Sequence, residues 1–242
     1  MNKIFGNAFK AIKLAGYRNI NELYEQTDQL HACETLFGDW NAELLILAQD
    51  ASNFKSLENI YNVDNTNPYR HNPKNRTNVN LFEILNSTNK FNLGTYENPN
   101  NRNCGIYYAN AIWLLKDSSS MSGAITSKNE AYKKNAPVFE ATLGNLQELK
   151  LIITLGEHSY NFINFFFENQ INLSWHKSVT SGKIHKVKHN KQIYLIASIY
   201  HTSTRGMLAR ARLDGFTGKN SCAKGLELTK QDLQNAINDL VA

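Results

Sequence analysis

Four apolar runs punctuate the chain: Ala42–Leu47, Ile106–Ala109, Leu149–Leu155 and Ile193–Tyr200. Each gives way to polar residues, Gln49-Asp50, Asn110, Gly156-Glu157-His158 and His201 respectively. Near-continuous apolar runs suit strands covered on both faces. Between them lie stripes of helical period. Leu23, Thr27, Leu30 and Cys33 mark a helix over 19–36. Val79, Phe82 and Leu85 mark one over 78–85. Phe139, Leu143, Leu146 and Leu149 mark one over 137–149. Tyr160, Ile163 and Phe167 mark one over 157–169. Thr229 and Asp232 read as a capping box that opens a last helix, with Leu233, Ile237 and Leu240 on its apolar face. Ser181-Gly182-Lys183 reads as the turn of a hairpin whose basic second arm is Ile184–His189. The polar stretches 50–79, 96–103 and 116–135 read as loops, the first with two Asn-Pro turn signals.

Helices alternating with strands imply a parallel sheet covered by helices. The expectation is an α/β fold: a three-layer α/β/α sandwich with a central, mainly parallel four-stranded sheet, forming one domain over residues 1–242. Ligands of such sheets bind outside the carboxyl ends of the strands. If the four runs are parallel, an acid, a carboxamide and an imidazole meet there: Asp50, Asn110 and His201.

Composition narrows the class. At 42% hydrophobic and 11% aromatic over 242 residues, the chain can bury a core. Cys33, Cys104 and Cys222 are widely spaced. They argue against a disulfide framework or a structural zinc, and three cysteines exclude a four-cysteine iron–sulfur cluster within the chain. The first residues lack the apolar core of a secretion signal, and no run reaches the ~20 residues of a membrane span. A cytoplasmic, monomeric protein is expected, with no membrane partner. The net charge of +5 permits a polyanionic partner without requiring one. Neither a Gly-x-Gly-x-x-Gly nor a phosphate-binding P-loop follows a strand, which argues against dehydrogenase and NTPase chemistry.

The candidate residues have competing readings. Asp50 is either an acid facing the crevice or the cap of the next segment. Asn110 interrupts an apolar strand, where Asn is depleted, so its amide needs partners. Those are either loop backbone or a nucleobase, which a carboxamide can bond bidentately. His201 opens His201-Thr202-Ser203-Thr204-Arg205-Gly206-Met207, a loop composition that often carries sites. Arg205 and Arg210 add charge beside it, or form a solvated helix face. Lys186 and Lys188 belong to a basic ribbon that could track phosphates, or to a plain exposed hairpin. His185 and His189 lack the further ligands of a metal site; no metal or cofactor is expected.

Several segments, taken in order, resemble the uracil-DNA glycosylase superfamily over roughly Glu43 to Arg212. Leu45-Ile46-Leu47-Ala48-Gln49-Asp50-Ala51-Ser52 is similar to its first motif, and Arg76-Thr77-Asn78-Val79-Asn80-Leu81-Phe82 to the helix after its base-stacking loop. Tyr107-Tyr108-Ala109-Asn110-Ala111 resembles the strand whose Asn reads uracil. Leu151-Ile152-Ile153-Thr154-Leu155-Gly156 resembles the third strand, and Tyr200-His201-Thr202-Ser203 the His-Pro-Ser loop. Ala48 stands in place of a Gly, Ala51-Ser52 in place of Pro-Tyr and Thr202 in place of Pro, as in a divergent branch.

The resemblance implies base excision in DNA repair: hydrolysis of the N-glycosidic bond of uracil or another deaminated base flipped out of single- or double-stranded DNA. Asp50 would hold the attacking water and stabilise the cationic sugar, and His201 would donate to the base oxygen. Gln49 and Asn110 would bind the base, with Tyr69 or Phe54 stacked on it. Ser203, Arg205, Met207, Arg210, Lys186 and Lys188 would contact DNA, with Met207 or Leu208 filling the gap left by the base. Two alternatives are a non-catalytic nucleic-acid or base-binding protein on the same fold, which would not depend on Asp50, and a small-nucleoside hydrolase.

Overall fold

A computed structural model describes residues 10–19, 22, 37–50, 53–63, 75–100, 103–117 and 128–238. Its elements run β1 (Tyr17–Arg18), β2 (Leu44–Asp50), α1 (Phe54–Val63), α2 (Arg76–Asn86), β3 (Ile106–Ile112), β4 (Leu115–Lys116), α3 (Lys128–Asn145), β5 (Leu151–Leu155), α4 (Glu157–Phe166), α5 (Trp175–Ser181), β6 (His185–His189), β7 (Gln192–Ile199), α6 (Thr204–Leu213) and α7 (Ser221–Asn238). All four apolar runs form strands, and they pair in parallel. The helix expected over 19–36 lies almost wholly outside the described residues. No helix among the described residues is long and apolar enough to cross a membrane.

The sheet has five strands rather than four, in the order β3-β2-β5-β7-β6. The fifth, β6, is the basic segment. His185 and Val187 are buried while Lys186 and Lys188 face out, the period-2 pattern of an edge strand. It pairs antiparallel with β7 through a turn at Asn190-Lys191, both at positive φ (47° and 69°). Two such residues match the twist of a tight hairpin. Ser181-Gly182-Lys183 is not that turn: Gly182, at φ 62°, ends α5 in the left-handed conformation.

Residues alternating along each strand feed two cores. Leu45, Leu47, Ala109 and Ile152 pack with Tyr132, Phe139 and Phe162 of α3 and α4. Leu44, Ile46, Ile153 and Ile199 pack with Leu81 and Leu85 of α2, Met207 of α6 and Leu233 of α7. Both faces are therefore covered, as continuous apolar strands require. The outer edge of β3 is engaged by the 37–39 segment, through Tyr108 N–H to Phe37 O (3.1 Å) and Asp39 N–H to Ile106 O (3.1 Å). At β6 the Gln170 amide bonds both backbone groups of Lys188 (2.8 and 2.9 Å). Such contacts blunt edge-to-edge association.

Several helices differ from the sequence expectation, among them α5 in place of the first hairpin arm and α6 in place of the loop after His201. α1 lies inside the expected 50–79 loop, and the Asn53 side chain accepts from Ser56 N–H at its start (2.8 Å). α3 begins at Lys128 and carries Pro137 within it. α7 begins at Ser221, so Thr229 is not a cap: its hydroxyl donates back to Gly225 O (2.8 Å), and Asp232 pairs with Arg210 instead.

Candidate functional site

Topology selects one place for a crevice. After β2 the chain places β3 on one side and, following α3, β5 on the other. Connections leaving in opposite directions open a gap at the carboxyl ends of the strands where the order reverses. The register shows what stands there. Ala48 is level with Asn110, and Asp50 with Ile112. Leu47 is level with Thr154 and Leu155 with Ile199, so His201 lies two residues beyond that level, as Asp50 does. Asp50, Asn110 and His201 share the sheet's carboxyl edge. Asp50 and His201 stand two strand spacings apart, about 10 Å.

Asp50 is not a bare carboxylate. Lys116 Nζ lies 2.8 Å from its Oδ2, both side chains being 9% exposed, and Gln49 Nε2 donates to the same oxygen (2.7 Å). Lys116 is positioned by β1, where Tyr17 pairs with it, and by a bridge to Asn53. A charge this buried persists only when paired.

Asn110 is 6% exposed, and its Oδ1 has no hydrogen-bond partner among the described residues. The contrast with Asn135 is direct. That buried amide accepts from Trp113 N–H (2.9 Å) and donates to Ala131 O (2.8 Å). An orphaned buried carbonyl calls for an explanation.

His201 is oriented by its own loop. Ser203 N–H donates to its Nδ1 (3.2 Å), which leaves Nε2 to carry the proton of the neutral ring. Burial holds its pKa below the ordinary histidine value, partly opposed by Asp50. The loop is fixed from α2: Asn80 Nδ2 donates to Thr202 O (2.7 Å) and the Thr202 hydroxyl to Thr77 O (3.0 Å). Gly156, at φ 86°, passes close to the His201 side chain. Just beyond it, His158 is also held low, first by burial and then by Lys128, with Glu157 and Asp50 opposing and Lys116 adding to the effect. Its Nδ1 has no hydrogen-bond partner among the described residues.

Most other sequence candidates lie elsewhere. Phe54 is 3% exposed, and the Arg18 guanidinium sits 3.3 Å from its ring centroid, so that ring face is already occupied. Met207 is wholly buried between α6 and α7, and so is not placed as a wedge. Arg210 is clamped by Asp232 (2.7 and 3.0 Å) and Asp214 (3.1 Å), which neutralise its charge. Lys186 and Lys188 are level with Leu195 and Ile193 of β7. That sets Lys186 roughly 20 Å back from His201 at ~3.3 Å per residue, so the ribbon does not flank the crevice. Ser203 caps α6, its hydroxyl accepting from Gly206 N–H (3.3 Å), and Arg205 is exposed in the first turn beside it. Leu208 is half-buried in α6, and Tyr69 lies outside the described residues.

Lys116 and Asn80 were the missed contributors, and His158 was read only as part of the polar end of the third run. Lys116 had a legible signal, a lysine at the end of the apolar stretch 111–115. Asn80 had none, because its partner is 122 residues away. No group of three metal-binding side chains occurs among the described residues. A groove of about 720 Å³ between the 10–22 segment and α3 contains none of the carboxyl-edge residues. The chain matches no protein-family model and no curated protein.

Proposed function

We propose that this protein is a DNA glycosylase-like hydrolase that removes uracil or another deaminated base flipped out of DNA. The observation that carries the reading is the unpartnered Oδ1 of buried Asn110 at the carboxyl edge. Deamination converts a bare ring nitrogen into an N–H beside a carbonyl. With Oδ1 facing that ring nitrogen, the amide is matched by the N–H of the deaminated base and opposed by the lone pair of its parent. An unmatched buried polar group discriminates strongly, because the wrong ligand leaves it unpaired.

The neighbouring residues support the chemistry. His201, neutral and protonated on Nε2, is suited to donate to the base oxygen on which negative charge builds; such stabilisation is usually a large part of rate enhancement. Asp50 supplies a carboxylate for a water and for the cationic sugar. Arg205, exposed at the start of α6, is the residue to contact phosphate. The reading takes the fold as a three-layer α/β/α sandwich acting as a cytoplasmic monomer, with no metal or cofactor in the reaction.

One observation favours the alternative of a non-catalytic base-binding protein: the Asp50–Lys116 ion pair neutralises the charge that hydrolysis would use. A strand-nicking assay separates the two. Oligonucleotides containing uracil, hypoxanthine or xanthine are incubated with protein and then treated with alkali. Nicking at a deaminated base supports the hydrolase, while tight binding without nicking supports the binder.

A further inference from the structure

We propose that Lys116 is a second reactive group of this site, an amine that forms an imine with the sugar aldehyde left when a base is lost from DNA. The inference rests on the glycosylase reading in that the abasic sugar must occupy the same crevice. Lysine is almost never fully buried unless paired, and among the described residues Lys116 is the one lysine in the buried class. Its backbone is fixed on two sides, by β1 and by Asn53. Its Nζ is 2.8 Å from Asp50 Oδ2 at the carboxyl edge. A sugar carbon brought into reacting distance of Asp50, ~3–3.5 Å, lies within about 6 Å of that nitrogen. A flexible four-carbon stem spans such a gap. Any sugar that Asp50 can serve is therefore within reach of the amine.

The step balances within the pair. Asp50 takes a proton from the Lys116 ammonium. The freed lone pair forms an N–C bond to C1′ of the ring-opened sugar, and the aldehyde oxygen becomes a hydroxyl. Asp50 returns its proton to that hydroxyl, which leaves as water. The product is a protonated imine beside a restored carboxylate. Loss of the C2′ proton to Asp50 then drives the electron pair toward the imine, and the C3′–O bond breaks with the 3′ phosphate as leaving group. Hydrolysis of the imine frees Lys116. Lysine amines act in this way on carbonyl substrates.

The test uses the full chain and an oligonucleotide with one preformed abasic site, so that base release is not needed. Sodium cyanoborohydride reduces an imine to a stable amine. The expected result is a covalent protein–DNA adduct that mass spectrometry maps to Lys116 in the unaltered protein. Lys116→Arg keeps the positive charge beside Asp50 but cannot form the imine, and should lower the adduct yield more than about tenfold. An adduct mapped to another lysine, or retained in Lys116→Arg, overturns the inference. So does binding of abasic DNA without an adduct. If uracil is excised while no adduct forms, the glycosylase reading stands and the role of Lys116 falls. If abasic DNA is not bound and no base is released, both fall.

Discussion

Asn110 and Asn135 are both buried asparagines, and they differ in how their amides are satisfied. Asn135 makes two strong hydrogen bonds; Asn110 leaves its Oδ1 without one. Removing a satisfied buried amide strands its partners, at about 1–3 kcal/mol. Asn135→Ala should therefore destabilise by that amount, whereas Asn110→Ala should cost less than about 1 kcal/mol while abolishing base recognition. Urea denaturation of both variants checks this, and equal losses would count against a ligand-facing Asn110. The histidines add a pH dependence. Burial depresses the folded-state pKa of His201, His158 and His185. The unfolded chain then binds more protons as pH falls through the ordinary histidine value of about 6.5. Their contribution is present above that value and lost below it, so folding stability should drop on acidification. His201→Gln should flatten that drop in denaturation curves taken from pH 7.5 to pH 5. An unchanged slope would contradict a depressed His201. At this scale Asp50, Asn110 and His201 were readable as candidates because each ends or interrupts an apolar run. The Asp50–Lys116 pair was not, because it joins strand ends 66 residues apart in numbering and depends on how β1 and β4 pair.

The elements that hold the site pack at closest range through glycine. A Cβ on Gly206 would lie 1.7 Å from His201 O, and one on Gly225 1.8 Å from Met207 O. Nothing there can yield except backbone. Gly225→Ala should part α6 from α7 and destabilise by about 3 kcal/mol, at the upper end of overpacking costs. Gly206→Ala should displace the His201 carbonyl and lower excision. Thermal melts and nicking rates read the two effects separately, and a Gly225→Ala protein as stable as the unaltered chain would refute the close contact. Arg210 staples the same helices to Asp232 and Asp214. Its charge is already matched by these two carboxylates. The four parallel strands were legible to within a few residues because their apolar runs are continuous, whereas the short β1 and β4 were not. Helix boundaries were not: α1 starts from a single Asn53 cap, and α7 runs eight residues upstream of the apparent capping box at Thr229. In both, tertiary packing overrode local signals. The hairpin was misplaced because Gly182 resembles a turn residue, whereas the true turn uses Asn190-Lys191.

At the scale of the whole molecule, the chain's path around β2 sets the carboxyl edge, and Asp50, Asn110 and His201 reach it each from a different strand or the loop after one. That convergence was legible in outline, since alternating strands and helices imply a shared carboxyl edge. The electrostatic picture changed more. The clustering of basic residues beside His201 and on the β6 ribbon suggests a DNA face from sequence. The folded chain neutralises Arg210 and carries Lys186 and Lys188 away from the crevice, which leaves Arg205 beside it. Arg205→Ala should flatten the salt dependence of DNA binding by about one unit of slope, while Lys186→Ala and Lys188→Ala should leave it unchanged. The central claim, that the carboxyl edge cleaves rather than only binds, is tested most directly by Asp50→Asn. Single-turnover release of uracil and affinity for the same oligonucleotide are measured separately, because a charge that matters in the transition state changes rate and not binding. The account predicts a rate loss of about 10²–10³-fold with affinity nearly unchanged. Equal losses in both, or no release of base by the unaltered protein, would contradict it.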